Sequence, residues 1–227
     1  MKIDDSVRSA IDPSQMQIPS TSGCPVVGGN TGVNPGNQMA PSPNQQSFPE
    51  QTKPLGKDRQ VSSIPMAKQD EENWVYPSEQ MFYNAMKRKG WSPTEDDMPT
   101  VVAIHNAVNE RAWRDILSWE AHQGTSDACG GPKLVKFRGR PKDYSPKARI
   151  LNLLGYKLPF DRHDWIVDRC GTEVRYVIDF YNGAPSPNMP ASLHLDVRPA
   201  LDSPSLLLER LRMQAKHMSA MIFGKNP

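Results

Sequence analysis

Between Val101 and Glu120 the chain reads VVAIHNAVNERAWRDILSWE, and this stretch constrains the fold more than any other. Val101, His105, Val108, Ala112, Ile116 and Trp119 recur at steps of three and four, so they share one face of an amphipathic helix. Such a helix takes most of its stability from packing, so the rest of the chain must supply a core for that face. His105 is the only ionisable member of the stripe. Burying an imidazole without a partner costs roughly 1–3 kcal/mol. His105 therefore reads either as a hydrogen-bonded core residue or as a ligand or catalytic group. Glu110 and Arg114 follow at the spacing of a supporting i, i+4 pair.

The material for that core is unevenly spread. Residues 1–68 are rich in Pro, Gly, Asn, Ser and Gln, as in Gly28-Gly29-Asn30 and Asn34-Pro35-Gly36-Asn37. Too little apolar surface is available there to offset ordering entropy, so a disordered tail is predicted over 1–68 and one folded domain over 69–227. Within the tail, Cys24 precedes Pro25. A thiolate before proline can ligate haem iron, and the plainer reading is a chance dipeptide. Cys24, Cys129 and Cys170 lie far apart, and an odd count without tight spacing argues against a disulfide framework and a zinc knuckle. A net charge of +2 gives no overall electrostatic case for nucleic acid or an anionic membrane. No run of eighteen apolar residues is present, and the N-terminal MKIDDSVRSAID has neither an apolar signal core nor the Arg-rich character of a transit peptide.

The remaining elements follow in order. Pro77, Glu79 and Lys87-Arg88-Lys89-Gly90 mark the start and stop of a helix that buries Met81, Phe82, Ala85 and Met86, with Trp91 packing back on it. Pro99 fits the first turn of the central helix. Residues 122–132 read as a loop and Leu134–Phe137 as a short strand. Ser145-Pro146 opens another helix that Gly155 closes. Leu158-Pro159-Phe160-Asp161-Arg162-His163-Asp164-Trp165 reads as a loop beside a strand, and it gathers charged and aromatic groups of the kind that functional loops carry. Ile166–Asp168 and Val174–Tyr181 flank a hairpin turn at Arg169-Cys170-Gly171-Thr172. A strand near Leu193–Val197 and a helix capped by Ser203 complete the chain. The fold class is α+β: helices packed around a small antiparallel β-sheet, preceded by the disordered tail.

Five blocks carry a resemblance. They are Trp74-Val75-Tyr76-Pro77-Ser78-Glu79-Gln80-Met81-Phe82; Ile104-His105-Asn106 with Asn109, Glu110 and Trp113; Leu158–Trp165; Cys170-Gly171-Thr172-Glu173-Val174-Arg175-Tyr176-Val177-Ile178-Asp179; and Asp196-Val197-Arg198-Pro199-Ala200-Leu201-Asp202. In this order they resemble the holocytochrome c synthase, or cytochrome c haem lyase, family. The Cys-Pro in the tail fits as well, although several members carry two or more. The C-terminal stretch Met213–Pro227 lacks the Trp-rich ending of some members.

The resemblance implies a mitochondrial lyase of the intermembrane space, peripheral on the inner membrane and imported without a cleaved presequence. It implies haem b as substrate, with ferrous iron during reaction, and apocytochrome c or c1 as partner through its N-terminal helix and Cys-X-X-Cys-His motif. A nucleic-acid partner is not expected. Carried over by position, His105 is the axial ligand to haem iron. Trp74, Lys89, Glu110 and Trp113 line or brace the haem site. His163 lies in a second haem-facing segment, where it ligates iron, contacts a propionate or only orders the loop. Arg162, Arg175 and Arg198 are candidates for propionate pairing, because a guanidinium fork matches a carboxylate, and equally candidates for strand-bracing charges. Cys24 is the haem-regulatory thiolate. Rival classes are a haem-binding chaperone or sensor that makes no bond, and an adaptor domain in which both histidines are ordinary core residues.

Overall fold

The computed structural model describes residues 45–67, 73–183 and 193–223. The chain forms two compact units: Met1–Ser63 with Asn73–Glu110, and Ile64–Glu72 with Arg111–Pro227.

In the first unit, strand β1 (Val61–Pro65, whose last two residues belong to the second unit) pairs with β2 (Asn73–Val75). Helix α1 (Glu79–Arg88) follows. The Ser78 hydroxyl accepts from the Met81 N–H at its start. At its end Gly90 takes a positive φ of 82°, and Trp91 N–H donates to Met86 O at 3.1 Å, closing a Schellman turn. A 3-10 turn at Glu95–Asp97 leads into helix α2, Met98–Glu120. A core of Leu55, Tyr83 and Met98 is flanked by Phe48, Phe82, Met86 and Val102.

Part of the stretch that composition assigns to a tail is folded. Residues 45–67 lie inside the expected disordered tail, yet they carry β1 and two members of this core. Side-chain amides supply what apolar surface does not. Gln51 and Gln80 exchange hydrogen bonds at 3.0 and 2.7 Å, Gln80 also donates to Asn84, and Asn84 donates to Gln46 O at 2.9 Å. Glu95 accepts from both Thr52 and Lys53. Polar residues that read as solvated tail are thus satisfied on α1 and the turn that follows it. Cys24 and the rest of the tail lie outside the described residues.

The second unit is built on a four-stranded antiparallel sheet in the order β3 (Lys133–Gly139), β4 (Asp161–Arg169), β5 (Thr172–Asn182), β6 (Leu193–Pro199). Strand β4 starts at Asp161, so Arg162, His163 and Asp164 are sheet residues rather than the expected loop. The register Trp165↔Tyr176 and Val167↔Val174 sets one sheet face. That face is apolar: Phe137, Trp165, Val167, Tyr176 and Ile178. Trp113 of α2 stacks on Trp165 at 6.5 Å, and the Trp119 indole donates to Val197 O. The opposite face carries Arg162, Asp164, Asp179 and Arg198, under the start of helix α4 (Pro146–Leu153).

Cys170 and Gly171 form the two-residue β4–β5 turn, both with positive φ (49° and 85°). Such a turn matches the twist of the flanking strands, and the glycine meets the geometry without strain. Cys170 is joined to Cys129 by a disulfide that closes a separation of 41 residues. The expectation against a disulfide is therefore corrected. Sequence spacing put the two cysteines far apart, and the hairpin brings their Cα atoms to 5.5 Å. Cys129 ends a short helix, α3 (Thr125–Cys129), within the expected 122–132 loop. The last helix, α5, spans Pro204–Phe223.

Candidate functional site

Helix α2 does not bury His105. Its buried positions are Met98, Asn106, Ala112, Trp113, Ile116 and Glu120, so the stripe that faces the interior lies one residue round from the expected one at its N-terminal end. Asn106 goes inward and donates to Gln60 Oε1 at 3.0 Å, while its own Oδ1 is buried without a hydrogen-bond partner. His105 is exposed, and its ring meets Phe82 of α1 edge to face at 5.1 Å. The expectation of an imidazole pointing into an apolar surface is corrected. Aliphatic periodicity cannot tell which of two neighbouring polar residues turns inward, and here the amide does, because it finds Gln60.

Glu110 sits one helical turn and a half further on. Its carboxylate accepts from the Ser63 N–H at 3.1 Å, from the Ser63 hydroxyl, and from the Tyr76 hydroxyl at 3.0 Å. It ties α2 to β1 and to the residue after β2. Burial, and then Glu110, push the Tyr76 phenol well above its ordinary range. Trp74 is buried in β2. Lys89 caps the C-terminal end of α1 from an exposed position. His105, Glu110, Trp74 and Lys89 thus all belong to the first unit. The contribution of Tyr76, Ser63 and Asn106 was missed from the sequence. The adjacency of Tyr76 to the conspicuous Trp74 was the available signal.

Trp113, His163, Arg162, Arg175 and Arg198 belong to the second unit. The three arginines are engaged by carboxylates of the protein. Arg162 is buried, donates twice to Asp164 Oδ1 at 3.0 and 2.9 Å, and reaches Asp143 O at 2.7 Å. Arg198 is buried against Asp179, the Ser145 hydroxyl and Asp196. Arg175 spans Asp164 and Asp202, and it holds the Asp202 carboxyl below the usual carboxylate range. Asp164 thereby pairs with both Arg162 and Arg175, and Arg140 approaches it at 3.2 Å. Removing one partner from buried pairs of this kind leaves an uncompensated charge. Of the two roles open to these arginines in the sequence, this geometry is that of strand-bracing charges.

His163 lies on the apolar sheet face, with Nε2 3.2 Å from Asp161 Oδ2 and its ring edge-on to Phe180 at 5.2 Å. Its Nδ1 is buried without a hydrogen-bond partner. A second buried cluster was not foreseen at all. Glu120 at the end of α2 accepts twin hydrogen bonds from Arg169, which also reaches Glu209 of α5, and Tyr176 donates to the same carboxylate. Burial and the Glu120 charge push the Tyr176 phenol up.

The second unit also has a cavity of about 900 Å³, bordered by Trp119, Lys147, Tyr156, Tyr181, His194 and Met213 among others. None of the expected site residues lines it. Among the described residues no group of three or more His, Cys, Asp or Glu could hold a metal ion, and no helix is long and apolar enough to cross a membrane.

Comparison with known proteins gives one consistent answer. The profile of the family described as "Cytochrome c/c1 heme lyase" matches residues 6–214. Holocytochrome c-type synthase of Gallus gallus is 51% identical over 199 residues, covering 84% of this chain and 72% of that protein. A putative holocytochrome-c1 synthase of Schizosaccharomyces pombe is 55% identical over 170 residues, 73% of this chain and 78% of that protein. Holocytochrome-c synthase of Saccharomyces cerevisiae is 40% identical over 235 residues, covering 93% and 86%. No solved structure matches the chain. With a family profile spanning nearly the whole sequence, and relatives at this identity covered over most of their length, the chain is a lyase and belongs to the cytochrome c/c1 haem lyase family.

Proposed function

We propose that this enzyme attaches haem b covalently to apocytochrome c, c1 or both. The observation that carries the reading is the family profile over residues 6–214, and α2 carries an exposed histidine, His105, that suits an iron ligand. The reaction adds a thiol across a vinyl group twice. Each addition forms one carbon–sulfur bond, and the thiol proton ends on the neighbouring vinyl carbon, so nothing leaves. The protein's task is position. His105 takes one axial face of the ferrous iron, and the Phe82 edge restrains the ring. The histidine of the substrate's Cys-X-X-Cys-His motif takes the other face, bringing the two cysteines beside the vinyls. Holding the reactants in this way makes a bimolecular addition effectively unimolecular. The substrate's N-terminal helix docks on the enzyme during this step.

Glu110 and Trp74 act behind His105, by fixing β1, β2 and Tyr76 against α2. Lys89, exposed at the end of α1, lines or braces the haem site. Trp113 stacks within the second unit's core and supports α2. His163 orders β4 beside Asp161. Arg162, Arg175 and Arg198 hold the sheet rather than the propionates. The working location is the mitochondrial intermembrane space, peripheral on the inner membrane.

The test is coexpression with an apocytochrome c in a host lacking its own maturation system. Thioether-linked haem survives acid–acetone extraction and stains on a denaturing gel. A stained cytochrome band is expected. Haem that copurifies with this protein and never stains the cytochrome would refute the lyase reading in favour of a haem carrier.

A further inference from the structure

The overall charge of +2 conceals a strong local asymmetry. Residues 133–160 contain eight Lys or Arg and one Asp, net +7, which leaves nineteen basic and twenty-four acidic residues, net −5, in the rest of the chain. Within this stretch α4 is amphipathic in an unusual sense. Its small residue, Ala148, is the one that is buried. Its large apolar residues point outward: Ile150 is 60% exposed, Leu153 87%, Leu154 70%, and Tyr156 just beyond the helix 64%.

The helix is held in this attitude from several sides. Ser145, its N-cap, accepts from the Ala148 N–H and donates to Asp179. Gly155 adopts a φ of 89°, and Tyr156 N–H returns to Leu151 O, closing a Schellman turn that keeps Leu154 and Tyr156 on the outside. At 100° per residue Ile150, Leu153 and Leu154 form one outward ridge, with Lys147 on one side and Arg149 on the other. Lys147 is partly neutralised by Asp196 at 2.6 Å, and Arg149 donates through Nε to Tyr144 O. Lys142 and Lys157 are exposed at either end of the segment.

We propose that α4 and the following residues to Leu158 are the surface by which this protein docks on an anionic lipid bilayer. The apolar ridge enters the boundary between headgroups and acyl chains, and the flanking cations meet lipid phosphates. An outward row of large aliphatic side chains on a water-facing helix has no stabilising role in an isolated unit, and an apolar face edged by cations is the pattern of a helix lying in a membrane interface. The charge argues for lipid over a second copy of this chain, because two copies would oppose like charges around the same ridge. The proposal rests on the peripheral membrane location given above and names the face that serves it.

The test uses the full chain and extruded vesicles of phosphatidylcholine, alone or with a third phosphatidylglycerol, by cosedimentation. Binding to the anionic vesicles is expected, weakening as salt rises, since each surface cation is worth about fivefold. The double variant Leu153→Ser/Leu154→Ser should bind at least about tenfold more weakly, with unchanged circular dichroism and melting because both side chains are exposed. Leu153→Trp gives an independent reading. Its emission, relative to the parent protein, should shift to the blue on anionic vesicles. Unchanged binding by the serine variant, equal binding to neutral vesicles, no blue shift, or self-association abolished by the serine variant would each overturn the proposal. The serine variant should still attach haem to apocytochrome in detergent-free solution. Haem attachment without vesicle binding in the parent protein sinks this surface alone, and vesicle binding without haem attachment sinks the lyase reading alone.

Discussion

Glu110 gives the sharpest quantitative expectation. Replacing it with alanine removes the acceptor of three hydrogen bonds, two from Ser63 and one from Tyr76. The Tyr76 side chain is 1% exposed, so its hydroxyl is left without a partner in a place that water does not reach freely. An orphaned buried donor costs about 1–3 kcal/mol, and each of the more exposed Ser63 bonds adds about 0.5–1 kcal/mol. The total is about 3 kcal/mol. For a chain of this size each kcal/mol moves the melting temperature by about 2–4 °C, so Glu110→Ala should melt about 6–12 °C lower. Glu110→Gln keeps an acceptor for Tyr76 and should lose about a third of that. The assay is thermal unfolding of the haem-free protein, with Tyr76→Phe as the second arm of a double-mutant cycle. Removing the hydroxyl removes the orphan, so the double variant should be less destabilised than the sum of the singles by about 1 kcal/mol or more. Additive effects, or a Glu110→Ala that melts with the parent, would refute the bracing role and leave only direct contact with substrate to explain this residue.

Two further expectations concern covalent and titratable groups. Of three cysteines two are paired, so the unreduced, denatured protein should show one free thiol per chain, and reduction should destabilise it by about 4 kcal/mol from the loop that Cys129–Cys170 closes; three free thiols would contradict the pairing. Burial raises the phenols of Tyr76 and Tyr176. A raised phenol leaves stability intact below the ordinary tyrosine range and removes it as the pH climbs above that range. Alkaline absorbance titration should therefore show both ionising only as the fold opens, with Tyr76→Phe and Tyr176→Phe leaving the early part of the curve unchanged; a smaller early step in either variant would contradict it.

Much of the fold was legible in the sequence where one residue performs one local job. Ser145 caps a helix, Gly90 and Gly155 end helices, and the run of β-branched and aromatic residues from Val174 to Tyr181 pairs with Ile166–Asp168 as a hairpin, whereas Pro77, expected in the first turn of its helix, lies before the Ser78 cap. What was not legible depends on partners remote in the chain. The Gln51–Gln80–Asn84 amides order residues that composition assigns to a tail. The His105 side of α2 is decided by whether Asn106 or His105 finds a buried partner, and periodicity is silent on that. The arginines drawn toward propionates are claimed by Asp164, Asp179 and Asp202, carboxylates whose positions only the sheet register reveals. Glu120, a helix-end charge in the sequence, becomes the buried acceptor for Arg169 because the β4–β5 hairpin carries that arginine to it. Net charge likewise hides its own distribution, since +2 is the sum of a strongly basic stretch and an acidic remainder.

The account stands on His105 as the group that holds haem iron. The most direct measurement is the absorption spectrum of the protein purified after coexpression with apocytochrome c, for the parent and for His105→Ala, alongside haem staining of the cytochrome. Because His105 is exposed, the alanine variant should fold and melt like the parent. It should nevertheless lose both bound haem and the stained cytochrome band. A His105→Ala protein that keeps a low-spin haem spectrum and matures cytochrome at the parental rate would place the iron ligand elsewhere and contradict the account.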